Sequence, residues 1–175
     1  ELILRNITMS RYRPPQPRSK PYITPEGMMC LQRELSDLWR RRGEVTEAIT
    51  AAAAEGDRSE NAEYIYRKKQ LREMDRRIRY LQKRIPDLKV VDQVGDNDRV
   101  YFGAYVQLEN ESGKEFNYRI VGADEISSDA SKGYISVDSP MSNALLGTSI
   151  DDEIVLKVGE SVQFLSILDI RYSAV

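Results

Sequence analysis

Apolar residues recur at alternating spacings of three and four in two stretches of the chain, and each stretch has one polar exception, Arg42 in the first and Arg67 in the second. Such a repeat is typical of the packing seam of a coiled coil. The apolar seam positions are Met28, Leu31, Leu35, Leu38, Val45, Ile49 and Ala52, followed by Tyr64, Leu71, Met74, Ile78, Leu81, Ile85 and Leu88. The pattern predicts two long helices.

The two stripes match when the chain folds back on itself. Facing positions then pair in a constant register, Ala52 with Tyr64, Val45 with Leu71, and Leu31 with Ile85. Thr24-Pro25-Glu26 supplies an N-cap, a proline at the first helical position and an acid in the first turn, so the first helix is predicted to begin there. Pro86 is predicted to end or kink the second helix. The alternative is that the two helices belong to a larger bundle, but the sequence contains no third amphipathic helix of comparable length.

Beyond residue 99 the pattern changes to short alternating runs separated by turn residues, which is typical of β-structure. The predicted strands are Val100–Leu108, Glu115–Val121, Ile135–Val137, Glu153–Val158 and Val162–Ile170, with a short helix after Pro140. The predicted fold class is therefore α+β. It has an N-terminal antiparallel α-helical coiled-coil hairpin at 22–91, a polar linker at 92–99 and a β-rich globular domain at 100–175.

The segment 1–21 is predicted to be a basic, flexible arm. Five of the seven prolines lie within residues 1–25, where five basic and one acidic side chain give a net charge of +4. Proline disfavours a helix interior and stiffens the chain toward an extended form. Met9-Ser10 resembles a natural start, so residues 1–8 are interpreted as upstream or non-native sequence.

The residue inventory excludes several classes of function. The chain of 175 residues has no histidine and one cysteine, Cys30. It therefore has no Ser-His-Asp or Cys-His catalytic group, no histidine-containing zinc site and no internal disulfide. A single unpaired thiol suits a reducing, cytoplasmic compartment. No apolar run approaches the roughly 20 residues of a membrane span.

The second predicted helix carries a stripe of one charge sign opposite its seam. Its members recur at spacings of three and four and are Lys69, Arg72, Arg76, Arg79 and Lys83. A solvated helix face usually mixes charge signs, so a stripe of cations favours contact with a phosphate backbone over simple solvation. Aromatic residues are sparse along it, so we expect it to guide a backbone rather than stack bases.

The predicted turn of the hairpin, at 55–60, is acidic. Asp57 and Glu60 lie three residues apart ahead of the second helix, a spacing typical of a helix cap. The same two carboxylates could help to hold a divalent metal ion, because Mg²⁺ is often bound by only one or two carboxylates with waters and phosphate oxygens. The two interpretations are compatible. A site of two carboxylates would have to share its ion with a partner.

The segment Gly56–Tyr64, with the sequence GDRSENAEY, resembles the hairpin tip of the Gre transcript cleavage factors of bacterial RNA polymerase, in particular their GreB-type branch. Further matches are Tyr22–Gly27, Asp138-Ser139-Pro140, Ala144–Gly147 and Leu38-Trp39-Arg40. The run Lys68–Leu81 also fits the GreB type. The resemblance extends over about residues 20–173, and nothing is transferred from it to residues 1–19.

The resemblance implies a non-enzymatic elongation factor that rescues arrested transcription. Its hairpin would enter the secondary channel of RNA polymerase, where Asp57 and Glu60 would share Mg²⁺ with the polymerase and position water, with Ser59 assisting. The nascent RNA 3′ end would lie along Arg67, Lys68, Lys69, Arg72, Arg76, Arg79 and Lys83. An FKBP-like C-terminal domain would dock on the polymerase through Asp138, Ser139 and Pro140. No Mg²⁺ would bind stably to the free protein, which is expected to be a monomer without membrane contact.

Two alternatives remain open. The first is a Gre-like protein that occupies the channel and modulates or inhibits transcription without stimulating cleavage. The second is a coiled-coil chaperone or prolyl isomerase, which an FKBP-like domain suggests but which gives the acidic tip and basic stripe no role. A stand-alone nuclease is disfavoured because two carboxylates make a poor autonomous metal site.

Overall fold

The structure, a computed structural model, describes residues 18–54, 62–92, 98–126 and 132–172. Within these ranges two long helices precede a curled β-sheet with one short helix, so the α+β fold class is confirmed. Most of the predicted arm, all of the predicted tip and the middle of the predicted linker lie outside the described residues.

The two long helices have the predicted boundaries at the base of the hairpin. Helix α1 spans Pro25–Ala54 and helix α2 spans Ala62–Arg84. The Thr24 hydroxyl accepts a hydrogen bond from the Gly27 amide at 3.0 Å, which confirms the predicted N-cap. Helix α2 gives way to a 3₁₀ turn at Ile85–Asp87, because Pro86 cannot continue an α-helical hydrogen-bond ladder.

The predicted seam is the contact surface between α1 and α2. Every seam position is buried or half-buried, and Leu31, Val45, Met74 and Leu81 are among the buried ones. The polar exception Arg42 reaches across to Asp75, with Nε and Oδ1 2.7 Å apart. These contacts confirm the antiparallel pairing, and the described residues contain no third long helix.

Two very short strands close the base of the hairpin. Strand β1 (Tyr22–Ile23) pairs in parallel with β2 (Lys89–Val90). Ile23 is completely buried and packs with Leu31, Leu81 and Leu88. The chain therefore enters and leaves the hairpin side by side.

The C-terminal domain is built on a five-stranded sheet. Its strands are β3 (Tyr105–Asn110), β4 (Glu115–Val121), β5 (Tyr134–Ser136), β6 (Glu153–Val158) and β7 (Ser161–Arg171), in the spatial order β5-β4-β3-β7-β6. Only the β4–β5 pair is parallel. Helix α3 (Pro140–Leu145) helps to cover one face, whose core includes Leu108, Ile120, Leu145 and Ile167. The other face lies outside this core and is partly exposed.

The predicted start of the first long strand at Val100 is wrong. The chain turns at Phe102-Gly103 and strand β3 begins only at Tyr105. Gly103 has φ +88°, a conformation that glycine adopts without a Cβ penalty, and its amide donates to the Ile120 carbonyl at 2.9 Å. The glycine therefore interrupts an apolar run that otherwise has the composition of a strand.

A buried ion pair joins the hairpin to the β domain. Arg84 at the end of α2 lies 2.9 Å from Asp124, and their side chains are only 15% and 5% exposed. The Tyr80 hydroxyl also donates a hydrogen bond to Asp124. Burial raises the pKa of this hydroxyl, and the hydrogen bond to Asp124 raises it further, so Tyr80 remains a donor at neutral pH.

A second set of hydrogen bonds fixes the start of α1 against the β domain. The Glu125 carboxylate accepts from the Thr24 hydroxyl, from the Thr24 amide at 3.1 Å and from the Gly122 amide at 2.7 Å. A Cβ at Gly122 would lie 2.2 Å from the Tyr22 carbonyl oxygen, so only glycine permits this approach. The base of the hairpin is thus held at several points.

Candidate functional site

The candidate catalytic residues Asp57, Ser59 and Glu60 belong to 55–61, outside the described residues, and their roles stay predictions. What the structure establishes is the support on either side of them. Ala52 is buried near the end of α1 and Tyr64 is half-buried near the start of α2, so the seam continues to both sides of this segment. At 1.5 Å per residue, the 30 residues of α1 form a rod about 45 Å long.

The cations predicted to contact RNA lie along α2. Lys68, Lys69, Arg72, Arg76, Arg79 and Lys83 are exposed, whereas Arg67 is half-buried. The Arg67 guanidinium contacts Glu63 at 2.7 Å and Gln70 at 3.3 Å. Lys68 lies over the Tyr64 ring at 5.1 Å, and Arg79 donates to the Asp75 carbonyl at 3.2 Å.

The other cations of the stripe are available for a ligand. Lys69, Arg72, Arg76 and Lys83 form no ion pair within the described ranges. Their charges are therefore not neutralised by the described part of the protein. We define these four as the free stripe.

Two further arginines of α2 have a structural role that the charge pattern did not reveal. Arg77 forms two hydrogen bonds to Glu34 on α1, at 2.7 and 2.8 Å. The hydrogen bond to Glu34 raises the pKa of Arg77 against the opposing effect of burial. Arg84 forms the buried pair with Asp124. Their long-range partners could not be identified from a run of basic residues in the sequence.

The predicted docking residues lie together at the start of α3. Ser139 caps this helix by accepting from the Ser142 amide at 3.1 Å, and Pro140 follows in its first turn. Asp138 is exposed and its carboxylate accepts from the Lys20 amide at 3.1 Å. The three residues therefore form a local turn beside the N-terminal segment, and their contact with a polymerase stays a prediction.

The described residues contain no group of three or more acidic or cysteine side chains that could hold a metal ion. The metal prediction thus depends on Asp57 and Glu60. Carboxylate oxygens are suitable donors for Mg²⁺, but two of them cannot complete its shell of six ligands. No helix in the described part of the chain is long and apolar enough to cross a membrane.

A long helical hairpin that carries a stripe of exposed cations, and that contacts a small β domain at its base, defines a class of two-domain α+β protein. Comparison with known proteins identifies the family within this class. The family description "Transcription elongation factor, N-terminal" matches residues 21–90, and "Transcription elongation factor, GreA/GreB, C-term" matches residues 95–172. The chain belongs to the GreA/GreB family of transcription elongation factors.

Two relatives named as GreB agree with this assignment. Transcription elongation factor GreB of Pseudomonas aeruginosa is 51% identical over 166 residues, covering 94% of this chain and 98% of its own. The GreB of Xanthomonas axonopodis pv. citri is 60% identical over 148 residues, covering 83% of this chain and 87% of its own. Among solved structures, the transcription factor Gfh1 matches 87% of this chain and 99% of its own, with 21% identity and a TM-score of 0.42.

Proposed function

We propose that this protein binds bacterial RNA polymerase, inserts its hairpin through the secondary channel and stimulates cleavage of backtracked nascent RNA. The observation that carries the proposal is the hairpin, a rod about 45 Å long whose two helices are connected through the segment containing Asp57 and Glu60. In this role the protein is no enzyme itself. It acts as a cytoplasmic monomer that supplies carboxylates to the polymerase.

The proposed roles follow from the chemistry of the side chains. Asp57 and Glu60 would hold Mg²⁺ jointly with the polymerase, and Ser59 would support them. When bound, the ion stabilises charge on phosphoryl oxygens and makes a bound water a stronger nucleophile. Glu60 would orient that water, while the free stripe would attract the phosphates of the extruded RNA 3′ segment. Asp138, Ser139 and Pro140 would contact the polymerase surface.

The proposal is tested with stalled, backtracked elongation complexes that carry 3′-labelled RNA. We expect the wild-type protein with Mg²⁺ to release short 3′-labelled fragments much faster than the polymerase alone. Binding without faster cleavage would instead support the channel-occupying modulator. Absence of binding would overturn both forms of the proposal.

A second prediction concerns the free stripe. Replacing Lys69, Arg72 and Arg76 by Gln should weaken binding to the backtracked complex more at low salt than at high salt. Each contact to single-stranded phosphate contributes about 0.7 to the slope of log affinity against log salt, so losing three contacts should reduce the slope by about 2. The measurement is a salt titration of binding to complexes with and without an extruded RNA 3′ segment.

The matched control for the stripe replaces three cations of α1, Arg33, Arg40 and Arg41, by Gln. It removes the same charge from the same hairpin but from the other helix. An equal change of slope in both triple variants, or a change that does not depend on the extruded RNA, would contradict the assigned role of the stripe.

A further inference from the structure

Tyrosines and arginines alternate in a row across the side of the sheet that faces away from the core. Tyr134, Arg119, Tyr105 and Arg171 are cross-strand neighbours on β5, β4, β3 and β7. The Arg119 guanidinium lies 4.7 Å from the centre of the Tyr105 ring and 5.7 Å from that of Tyr134. The aromatic rings therefore hold a cation in place on a face that the core does not cover.

Arg119 is buried, with 9% of its surface exposed, yet its hydrogen bonding is incomplete. Its Nη2 contacts Glu26 at 3.2 Å, but the Glu26 side chain is 68% exposed and solvent screens this pair. The Arg119 Nε is buried without a hydrogen-bond partner in the described part of the chain. Buried N–H groups rarely remain unpaired, so the part of this site formed by described residues lacks an acceptor.

A cavity of about 210 Å³ adjoins this row. Three of the seven basic residues between 87 and 175 line it, namely Arg119, Lys132 and Arg171. Arg171 pairs with Asp169 at 2.7 Å, and Arg119 pairs with the exposed Glu26. Lys132 is exposed and forms no ion pair with any described residue. The cavity thus carries excess positive charge within a segment whose seven basic and sixteen acidic residues give −9.

The neighbouring side chains limit what this cavity can bind. Glu109 and Glu115 face each other on the same side of the sheet, and Glu153 continues that acidic row through Ser166. An extended polyanion such as RNA would meet these charges. The charged side chains that line the cavity in the described part of the chain are all cations, and a single carboxylate accepts hydrogen bonds from guanidinium groups in a favourable geometry.

We propose that the cavity lined by Arg119, Lys132 and Arg171 receives an acidic side chain of a protein partner. The choice of partner rests on the proposed function: it is RNA polymerase. The cavity would then be a contact additional to Asp138, Ser139 and Pro140. It lies beside the start of α1, through Glu26, so an occupant would contact the β domain close to the base of the hairpin.

The test compares the affinity of full-length variants for RNA polymerase without nucleic acid. Lys132→Glu should weaken binding about tenfold, because it places a negative charge where the partner's carboxylate would enter. Lys132→Arg should retain the affinity. Lys157→Glu is the matched control, since Lys157 is an exposed lysine of the same domain outside the cavity and the change in net charge is the same. Unchanged thermal unfolding would show that each variant is folded.

The outcomes separate this proposal from the proposed function. Equal affinities of Lys132→Glu and Lys157→Glu, with wild-type protein that binds and stimulates cleavage, would overturn only the cavity assignment. A loss that occurs only when RNA is present would identify a phosphate site and overturn the carboxylate assignment. Wild-type protein that fails to bind polymerase would overturn the proposed function, and this assignment with it.

Discussion

Asp57→Asn and Glu60→Gln should each abolish most of the stimulated RNA cleavage while leaving binding to RNA polymerase intact. Asn remains a good N-cap residue and Gln can still complete a capping box, so neither change removes the helix cap that the sequence predicts. Both remove a negatively charged metal ligand. Removing a residue that merely orients a metal ligand typically lowers metal affinity or activity about 10- to 100-fold. We therefore expect the loss of a ligand itself to lower the stimulated cleavage rate about a hundredfold or more.

The cleavage rate is measured on backtracked complexes with 3′-labelled RNA at saturating variant protein, and affinity is measured separately. Glu47→Gln is the matched control, because Glu47 is an exposed acid of α1 without an ion pair among the described residues. If Asp57→Asn cleaves normally and only Asp57→Ala is impaired, the residue acts as a helix cap. A Glu60→Gln variant that cleaves as well as Glu47→Gln would likewise remove Glu60 from the proposed chemistry.

The hairpin could be predicted because the spacing of apolar residues along the chain shows which helix faces are buried. Apolar residues at alternating intervals of three and four identify the face of each helix that packs against another helix. The matching register of the second stripe identifies α2 as the packing partner of α1 and predicts that the two helices are antiparallel. Thr24 and Pro86 then set the ends through local hydrogen bonding and proline geometry. None of this depends on distant parts of the chain.

The features that escaped prediction depend on long-range or single-residue geometry. Strands of two residues, such as those at Tyr22 and Lys89, are too short to show a period, and their pairing is visible only in three dimensions. The turn at Gly103 follows from its φ angle, which an apolar run does not reveal. Arg84 could not be distinguished in the sequence from the other cations of α2, because its partner Asp124 is forty positions away.

The same limit applies to the candidate site. Sequence spacing placed Arg67 in the seam and grouped other cations opposite it, but it could not show that Glu63 and Gln70 hold the Arg67 guanidinium. The row through Arg119 was not anticipated at all, because cross-strand neighbours from β3, β4 and β7 lie far apart in the sequence. The sequence shows the chemistry of each side chain, whereas identifying which side chains are neighbours requires the register of the sheet.

Arg84→Ala should lower the free energy of unfolding by about 3–5 kcal/mol, because it leaves the buried Asp124 carboxylate without its cation. It also removes the hydrogen bonds from Nη2 to the Ser19 hydroxyl at 2.8 Å and the Lys20 carbonyl at 3.1 Å. The measurement is urea unfolding followed by far-ultraviolet circular dichroism and by fluorescence of Trp39, the single tryptophan, which lies on the hairpin.

Two comparisons identify the cause of that loss. Arg79→Ala removes an exposed arginine of the same helix and should change stability by no more than about 0.5 kcal/mol. The double variant Arg84→Met/Asp124→Leu should recover much of the lost stability, since apolar residues often replace a buried ion pair at little cost. If Arg84→Ala were as stable as Arg79→Ala, the pair would not hold the junction. If the two probes instead separate into distinct transitions only in Arg84→Ala, the ion pair couples the unfolding of the hairpin to that of the β domain.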